Sequence, residues 1–220
     1  MRGRHAPVLV AFLAIAPAVA AQDLEVTPFV GMHVPAFEMM NEFAPSLGQI
    51  TISHRAGVTI GGRVAVPVSR RVAFEGVVAY AASDARIASS SLGNYTEEAS
   101  VTIVGGALRV PLSRPGQAAA FHLGAGAAFV THGGKFWKTF RSDLKASGIS
   151  LDGTTSLGLM LGGGLALRLR GTTLRLDLET HLYAAKLTFS DAVSSASTES
   201  QPEADLRVSA GLTLGRPRAP

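Results

Sequence analysis

The sequence predicts an all-β protein, an eight-stranded antiparallel up-and-down transmembrane β-barrel. Apolar and polar residues alternate with a period of two in runs that mostly exceed ten residues, and tight turns alternate with long polar connections. The chain is apolar overall, with a mean hydropathy of +0.27 and 24 glycines, yet no long apolar run follows its N-terminal segment. A strand that crosses a bilayer at a tilt needs ~9–11 residues, against ~5–6 for an average globular strand.

The N-terminal segment has the three parts of a secretory signal peptide. Met1–Arg4 is basic, Val8–Ile15 is apolar, and Ala18–Ala21 supplies the small residues of a cleavage site before Gln22. We therefore expect residues 1–21 to be a signal peptide and residues 22–220 to be one outer-membrane β-barrel domain.

Composition excludes several classes of protein. Removal of residues 1–21 leaves 18 basic and 16 acidic residues, and a net charge of +2 gives no reason to expect a nucleic-acid partner. The chain has no cysteine, so disulfides, thiol chemistry and a lipoprotein anchor are not expected. We expect no cofactor, because Gly162–Gly164 lacks the helix pattern and the Lys-Ser/Thr pair of a nucleotide-binding loop.

Each predicted strand carries its apolar residues on one face. In Leu174–Tyr183, four leucines alternate with Arg175, Asp177, Glu179 and His181. In a membrane barrel the leucines would face lipid and the charges the lumen, whereas in a soluble sandwich the leucines would face the core. The eight strands are expected at roughly Leu24–His33, Arg55–Val68, Arg71–Ala81, Thr96–Leu112, Ala118–Thr131, Thr154–Leu169, Leu174–Phe189 (with a bulge at Ala184–Ala185) and Glu203–Leu214.

The connections between these strands alternate in length. The tight turns are Ser69–Arg70, Ser113–Gln117 and Arg170–Gly171. The long connections are Val34–His54, Ala82–Tyr95, His132–Gly153 and Ser190–Pro202. Tight turns on one rim and long loops on the other predict periplasmic turns and external loops.

An internal repeat accompanies this topology. Gly62–Val68, Gly106–Leu112 and Gly163–Leu169 share a small-x-apolar-x-apolar-x-apolar pattern that ends at a tight turn, and Ala210–Leu214 begins it again. With this pattern the mature chain resembles the small eight-stranded outer-membrane proteins of the OmpA, OmpX and opacity type, in topology more than in any fixed motif. The resemblance implies a closed barrel in the outer membrane.

The rows opposite the lipid face carry ionisable residues. Buried charges persist only when they are paired, so we expect a lumen plugged by salt bridges. A narrow charged path or gate is the alternative. The expected network comprises Glu25, Arg63, Glu75, Arg109, Arg168, Arg175, Asp177, Glu179, Asp205 and Arg207.

The same rows carry histidines at positions 33, 122, 132 and 181, but in no spacing typical of a metal site or a catalytic pair. We therefore expect no metal, no catalytic residue and no enzymatic activity.

Aromatic residues are expected at two heights on the lipid face, as in interfacial belts. Phe74 and Phe121 mark one height, and Tyr80, Phe129 and Trp137 mark the other. The loop Gly133–Arg141 is basic and aromatic, so it would bind lipopolysaccharide phosphates or a partner, or form a short helix over the barrel mouth. Phe37, Met39, Met40 and Phe43 give the first loop an apolar patch.

These observations favour a monomeric outer-membrane barrel with a structural or surface-interaction role, in contact with outer-membrane lipids. Two alternatives remain open at this point. One is a soluble periplasmic barrel that binds a small apolar ligand inside, and the other is a lipid-modifying barrel enzyme.

Overall fold

A computed structural model describes residues 24–44, 48–69, 71–89, 93–114, 117–170, 172–185, 187–190, 195–197 and 201–214. The predicted signal peptide lies outside these residues. The chain forms a closed, eight-stranded antiparallel up-and-down barrel, which confirms the predicted fold class. The wall strands are β1 (Glu25–Pro35), β4 (Gly57–Pro67), β5 (Ala73–Ser89), β6 (Gly93–Pro111), β7 (Ala119–Gly134), β9 (Thr155–Leu169), β10 (Thr172–Ala185) and β13 (Gln201–Thr213).

Each wall strand pairs with its neighbours in chain order, and pairing of β13 with β1 closes the barrel. The connections at one end, the loop end, contain further elements. These are β2 (Met40–Ala44), β3 (Gly48–His54), helix α1 (Lys135–Ala146), β8 (Ser150–Asp152), β11 (Thr188–Ser190) and β12 (Ser195–Ser197). The opposite end, the short-turn end, carries the tight turns.

Two details of the strand prediction are wrong. The segment Ala82–Tyr95, expected to be a polar loop, extends strands β5 and β6, which stay paired up to Ser89 and Gly93. The inward side chains of Ala85 and Ile87 are fully buried at the loop end, so the extension is stabilised by an apolar core. No bulge occurs at Ala184–Ala185, because pairing with β13 is regular through Ala185.

The two faces of the wall have opposite polarity. On β10, Leu178 is 52% exposed on the outside, while Arg175 on the inward row is 4% exposed. The same alternation along all wall strands covers the outer surface with leucine, valine, isoleucine and aromatic side chains. This arrangement is that of a transmembrane barrel. Separately, none of the helices in the described ranges is long and apolar enough to cross a membrane.

Inward glycines allow the wall to curve tightly. A Cβ on Gly31 would lie 2.0 Å from the carbonyl oxygen of Val208, and one on Gly126 would lie 2.0 Å from that of Gly106. Adjacent strands therefore approach each other at distances that only glycine permits at these positions.

Candidate functional site: the barrel interior

The charged middle of the interior is organised around Glu179 and Arg63. Glu179 Oε2 accepts hydrogen bonds from Arg63 Nη2 at 2.8 Å and from Arg207 Nε at 2.8 Å. Arg63 also lies 3.3 Å from an oxygen of Asp177 and 3.4 Å from one of Glu75. Arg63 and Arg207 are among the largest fully buried side chains, so these ion pairs are shielded from water.

Arg175 extends this network towards the short-turn end. Its Nε donates to Asp177 Oδ1 at 2.9 Å, and its Nη2 donates to Glu75 Oε1 at 2.9 Å. The second oxygen of Glu75 also pairs with Arg175. His122 Nε2 lies 2.8 Å from Asp177 Oδ1, so strand β7 contributes to the same network.

An aromatic ring lies beside both central guanidinium groups. Arg63 Cζ lies 4.2 Å and Arg207 Cζ 5.0 Å from the centroid of the Phe29 ring. A Cβ on Gly61 would lie 2.5 Å from this ring, so glycine leaves the space that the ring occupies. The cation–π geometry stabilises two like charges that would otherwise repel each other.

Of the ten residues expected to form the lumen network, eight belong to one connected set of ion pairs. Arg109 links the set to the rim, since it lies 3.4 Å from Glu75 and 2.5 Å from Glu25. Arg168 is different: it is exposed at the short-turn mouth and makes no ion pair with a described residue. The sequence pattern predicted the face on which Arg168 lies. It did not predict that Arg168 lies at the end of β9, where side chains reach solvent.

Asp205 belongs to a separate polar cluster nearer the loop end. Tyr183 Oη donates to Asp205 Oδ2 at 2.9 Å and lies 3.3 Å from His132 Nε2. His33 Nε2 lies 3.6 Å from the same carboxylate. Glu203, two positions before Asp205, is 3% exposed on the same inward row. Sequence reasoning missed Glu203 and Tyr183, although the period of two predicts their orientation.

Helix α1 fills the barrel at the loop end. Its buried residues are Phe136, Trp137, Phe140 and Leu144, which recur every three or four positions on one face. They pack against a core of inward residues that includes Ile50, Ile52, Ile87, Val101, Ile103, Val130, Leu151 and Leu187. Of the alternatives for the basic aromatic loop, the structure therefore shows the helix.

Trp137 was expected at the lipid interface, and this prediction is wrong. Its side chain is 0% exposed inside the barrel, where Nε1 donates to His54 Nε2 at 3.3 Å and the indole lies edge-on to Phe136. The helical turn of α1 rotates this residue inward, which a strand pattern does not anticipate. The other four predicted aromatics, Phe74, Tyr80, Phe121 and Phe129, lie on the outer surface and are about half exposed.

The apolar patch expected in the first loop is also only partly exposed. Met39 is buried in the core under α1, whereas Phe37 is exposed. The side chains of Met40 and Phe43 lie outside the described part of the structure.

Polar contacts attach α1 to the loop end of β6 and to the residue that precedes β9. Lys135 Nζ lies 3.1 Å from Glu97 Oε1, and Arg141 Nη2 donates to Thr154 Oγ1 at 2.6 Å. A hydrogen bond from Thr139, followed by Lys135, lowers the pKa of Glu97. Burial, with the nearby carboxylates of Asp143 and Glu97, raises the pKa of Tyr95 to about 12. Both groups thus hold their ordinary charge at neutral pH.

Within the described ranges, no three His, Asp or Glu residues form a group that could hold a metal ion. His122, His54 and His132 instead contact carboxylate, tryptophan and tyrosine side chains, respectively.

Taken together, the apolar outer wall, the charged interior and the internal helix define a small transmembrane β-barrel. The structure is similar to the crystal structure of the outer membrane protein OprG from Pseudomonas aeruginosa, with a TM-score of 0.64 and 12% identity over 89% of this chain and 97% of that one. It is also similar to the solid-state NMR structure of outer membrane protein AlkL in DMPC lipid bilayers, with a TM-score of 0.59 and 17% identity over 90% of this chain and 93% of that one.

No protein-family model and no curated protein matches the chain. The resemblance to small eight-stranded outer-membrane barrels is confirmed at the level of the fold.

Proposed function

We propose that this chain is an outer-membrane β-barrel with a structural or surface-interaction role, exported by a signal peptide of residues 1–21. The mature chain, residues 22–220, would be a monomer that spans the membrane and presents its loops outside the cell. Its apolar outer wall and its similarity in fold to outer-membrane proteins support this proposal. The proposed role is not enzymatic.

The observation that carries the proposal is the filling of the lumen by side chains. Ion pairs cross the middle of the barrel, and the aromatic face of α1 occupies the loop end. A small cavity beside Glu75, Asp177 and Glu179 measures about 20 Å³, which is roughly the space of one water molecule. An eight-stranded interior is about wide enough for side chains alone. We therefore propose a barrel that does not conduct ions.

Lipids and lipopolysaccharide are the proposed surroundings. Lys135, Lys138 and Lys145 lie on the exposed side of α1 and could pair with lipopolysaccharide phosphates.

Planar-bilayer recording tests the closed lumen. The purified full chain should show no steady large conductance, whereas removal of one partner, as in Glu179→Ala, should produce small flickering currents. Large, steady, ion-selective currents from the unmodified protein would refute the proposed plug. Membrane fractionation with heat-modifiable gel migration tests the location separately, because a soluble barrel would stay in the soluble fraction.

Labelling of single cysteines on intact cells tests the orientation. A membrane-impermeant thiol reagent should reach Lys138→Cys on the exposed side of α1. It should not reach Ser113→Cys in a tight turn between β6 and β7. Labelling of the turn but not of the helix would reverse the proposed topology.

A narrow polar path is the second candidate function. Both ring nitrogens of His33 and of His181 are buried and have no hydrogen-bond partner among the described residues. Buried polar groups without partners favour hydration of the interior rather than dry packing. Proton flux into vesicles that contain the protein, without conductance to larger ions, would support this candidate over the plug.

A further inference from the structure

A cavity at the short-turn mouth is rich in arginine. It has a volume of about 310 Å³ and is open to solvent at the rim of the barrel. Arg71, Arg109, Arg168 and Arg175 line it, and Glu25 is the lining carboxylate. These side chains come from the β4–β5 turn and from four different wall strands, so the closed barrel brings together residues that are far apart in sequence.

The cationic charge of the cavity is only partly neutralised. Glu25 and Glu75 pair with Arg109, and Glu75 also pairs with Arg175. Arg71 and Arg168 are exposed and make no ion pair with a described residue. The site therefore has two paired arginines at its base and two arginines at its rim that make no ion pair with a described residue.

The chemistry of these groups selects an anion. A guanidinium group presents a planar fork of donors that matches the oxygens of carboxylate and phosphate groups. The hydroxyl-bearing residues Thr173 and Thr213 and the ring of His122 also line the cavity and add neutral polar groups. The volume is at the lower end of the ~300–1,000 Å³ range of small-molecule sites. We propose that this cavity binds a small oxoanion of the phosphate or carboxylate class.

Two sources of this anion fit the position of the cavity. One is a free solute in the compartment that the short turns face. The other is the phosphate of a lipid headgroup, because Phe121 lines the cavity and is also about half exposed on the outer wall. Anion binding at this rim is independent of conduction through the barrel.

Calorimetric titration of the full chain in a neutral detergent at low salt tests the site, with inorganic phosphate and acetate as probes. Arg168→Gln should weaken phosphate binding by about 10- to 100-fold, the range expected for one hydrogen bond to a charged group. Arg170→Gln removes the same charge from an exposed residue of the same rim that does not line the cavity, so its effect should be markedly smaller.

Arg168→Lys keeps the positive charge but loses the planar arrangement of donors. This variant should therefore bind phosphate with an affinity between those of the unmodified protein and Arg168→Gln. If Arg168→Gln does not fold, as judged by heat-modifiable migration, Arg71→Gln replaces it as the second rim variant. Absence of binding to both probes would overturn the proposal. Equal weakening by Arg168→Gln and Arg170→Gln would also overturn it, because it would indicate a general surface field.

The same titration in bilayers distinguishes the two sources. Weaker phosphate binding in bilayers that contain phosphatidylglycerol than in pure phosphatidylcholine would assign the site to an anionic lipid headgroup. Equal phosphate binding in the two kinds of bilayer would assign the site to a free anion.

Discussion

Replacement of Glu179 by glutamine should destabilise the barrel strongly, because it removes the only carboxylate that pairs with Arg207 among the described residues. Arg207 is 0% exposed and would remain as a buried cation without a counter-charge. Arg63 would lose one partner but keep Asp177 at 3.3 Å and Glu75 at 3.4 Å. Removal of one partner of a buried ion pair costs about 3–5 kcal/mol.

A matched control and a compensating variant sharpen this prediction. Glu25→Gln removes a carboxylate that pairs with Arg109 at the rim, where its side chain is 38% exposed, and should cost at most about 1 kcal/mol. Addition of Arg207→Met to Glu179→Gln removes the unpaired cation and should restore much of the lost free energy of unfolding.

Urea unfolding in lipid vesicles measures these free energies. Heat-modifiable gel migration reports the folded fraction, and the single tryptophan of the chain, on the buried face of α1, reports packing inside the barrel. A loss of stability in Glu179→Gln no greater than that in Glu25→Gln would contradict the role of Glu179 as the counter-charge of Arg207. A double variant no more stable than Glu179→Gln alone would contradict this role as well.

Three further predictions follow from the wall and the helix. Leu176→Asp places a charge on the lipid face and should lower the free energy of unfolding by somewhat less than the ~2–4 kcal/mol typical of Arg or Lys at mid-depth. Thr213→Asp at the inner mouth should lower it less in the same refolding titration. Gly126→Ala should prevent normal folding, because its Cβ would lie 2.0 Å from a backbone oxygen. A Cβ at Gly62 would meet no atom within 4 Å, so Gly62→Ala should fold. Equal refolding yields for the two variants would contradict this prediction. Phe140→Ala should lower the free energy of unfolding by about 3–5 kcal/mol and shift the tryptophan emission to longer wavelength. An unchanged emission spectrum would argue against the packing of α1 inside the barrel.

Sequence reasoning predicted the face of each site residue better than its height along the barrel. The period of two assigns Arg63, Arg175 and Glu179 to the lumen, and the structure places all three in one network. Arg168 and Asp205 lie on the predicted face as well, but their heights along the barrel separate them from that network. Alternation defines the face of a residue, whereas strand tilt and register define its height and its partners.

The alternation of side chains and the lengths of the connections predict an eight-stranded barrel with an apolar outer wall, because both are local properties of the chain. Which charges pair depends on contacts across the barrel, such as Arg63 with Glu179, 116 positions apart in sequence. The inward position of Trp137 depends on the helix that packs into the loop end, and the arginine cavity depends on residues of several strands meeting at one rim. These features require closure of the wall, since only closure brings distant inward rows within contact distance.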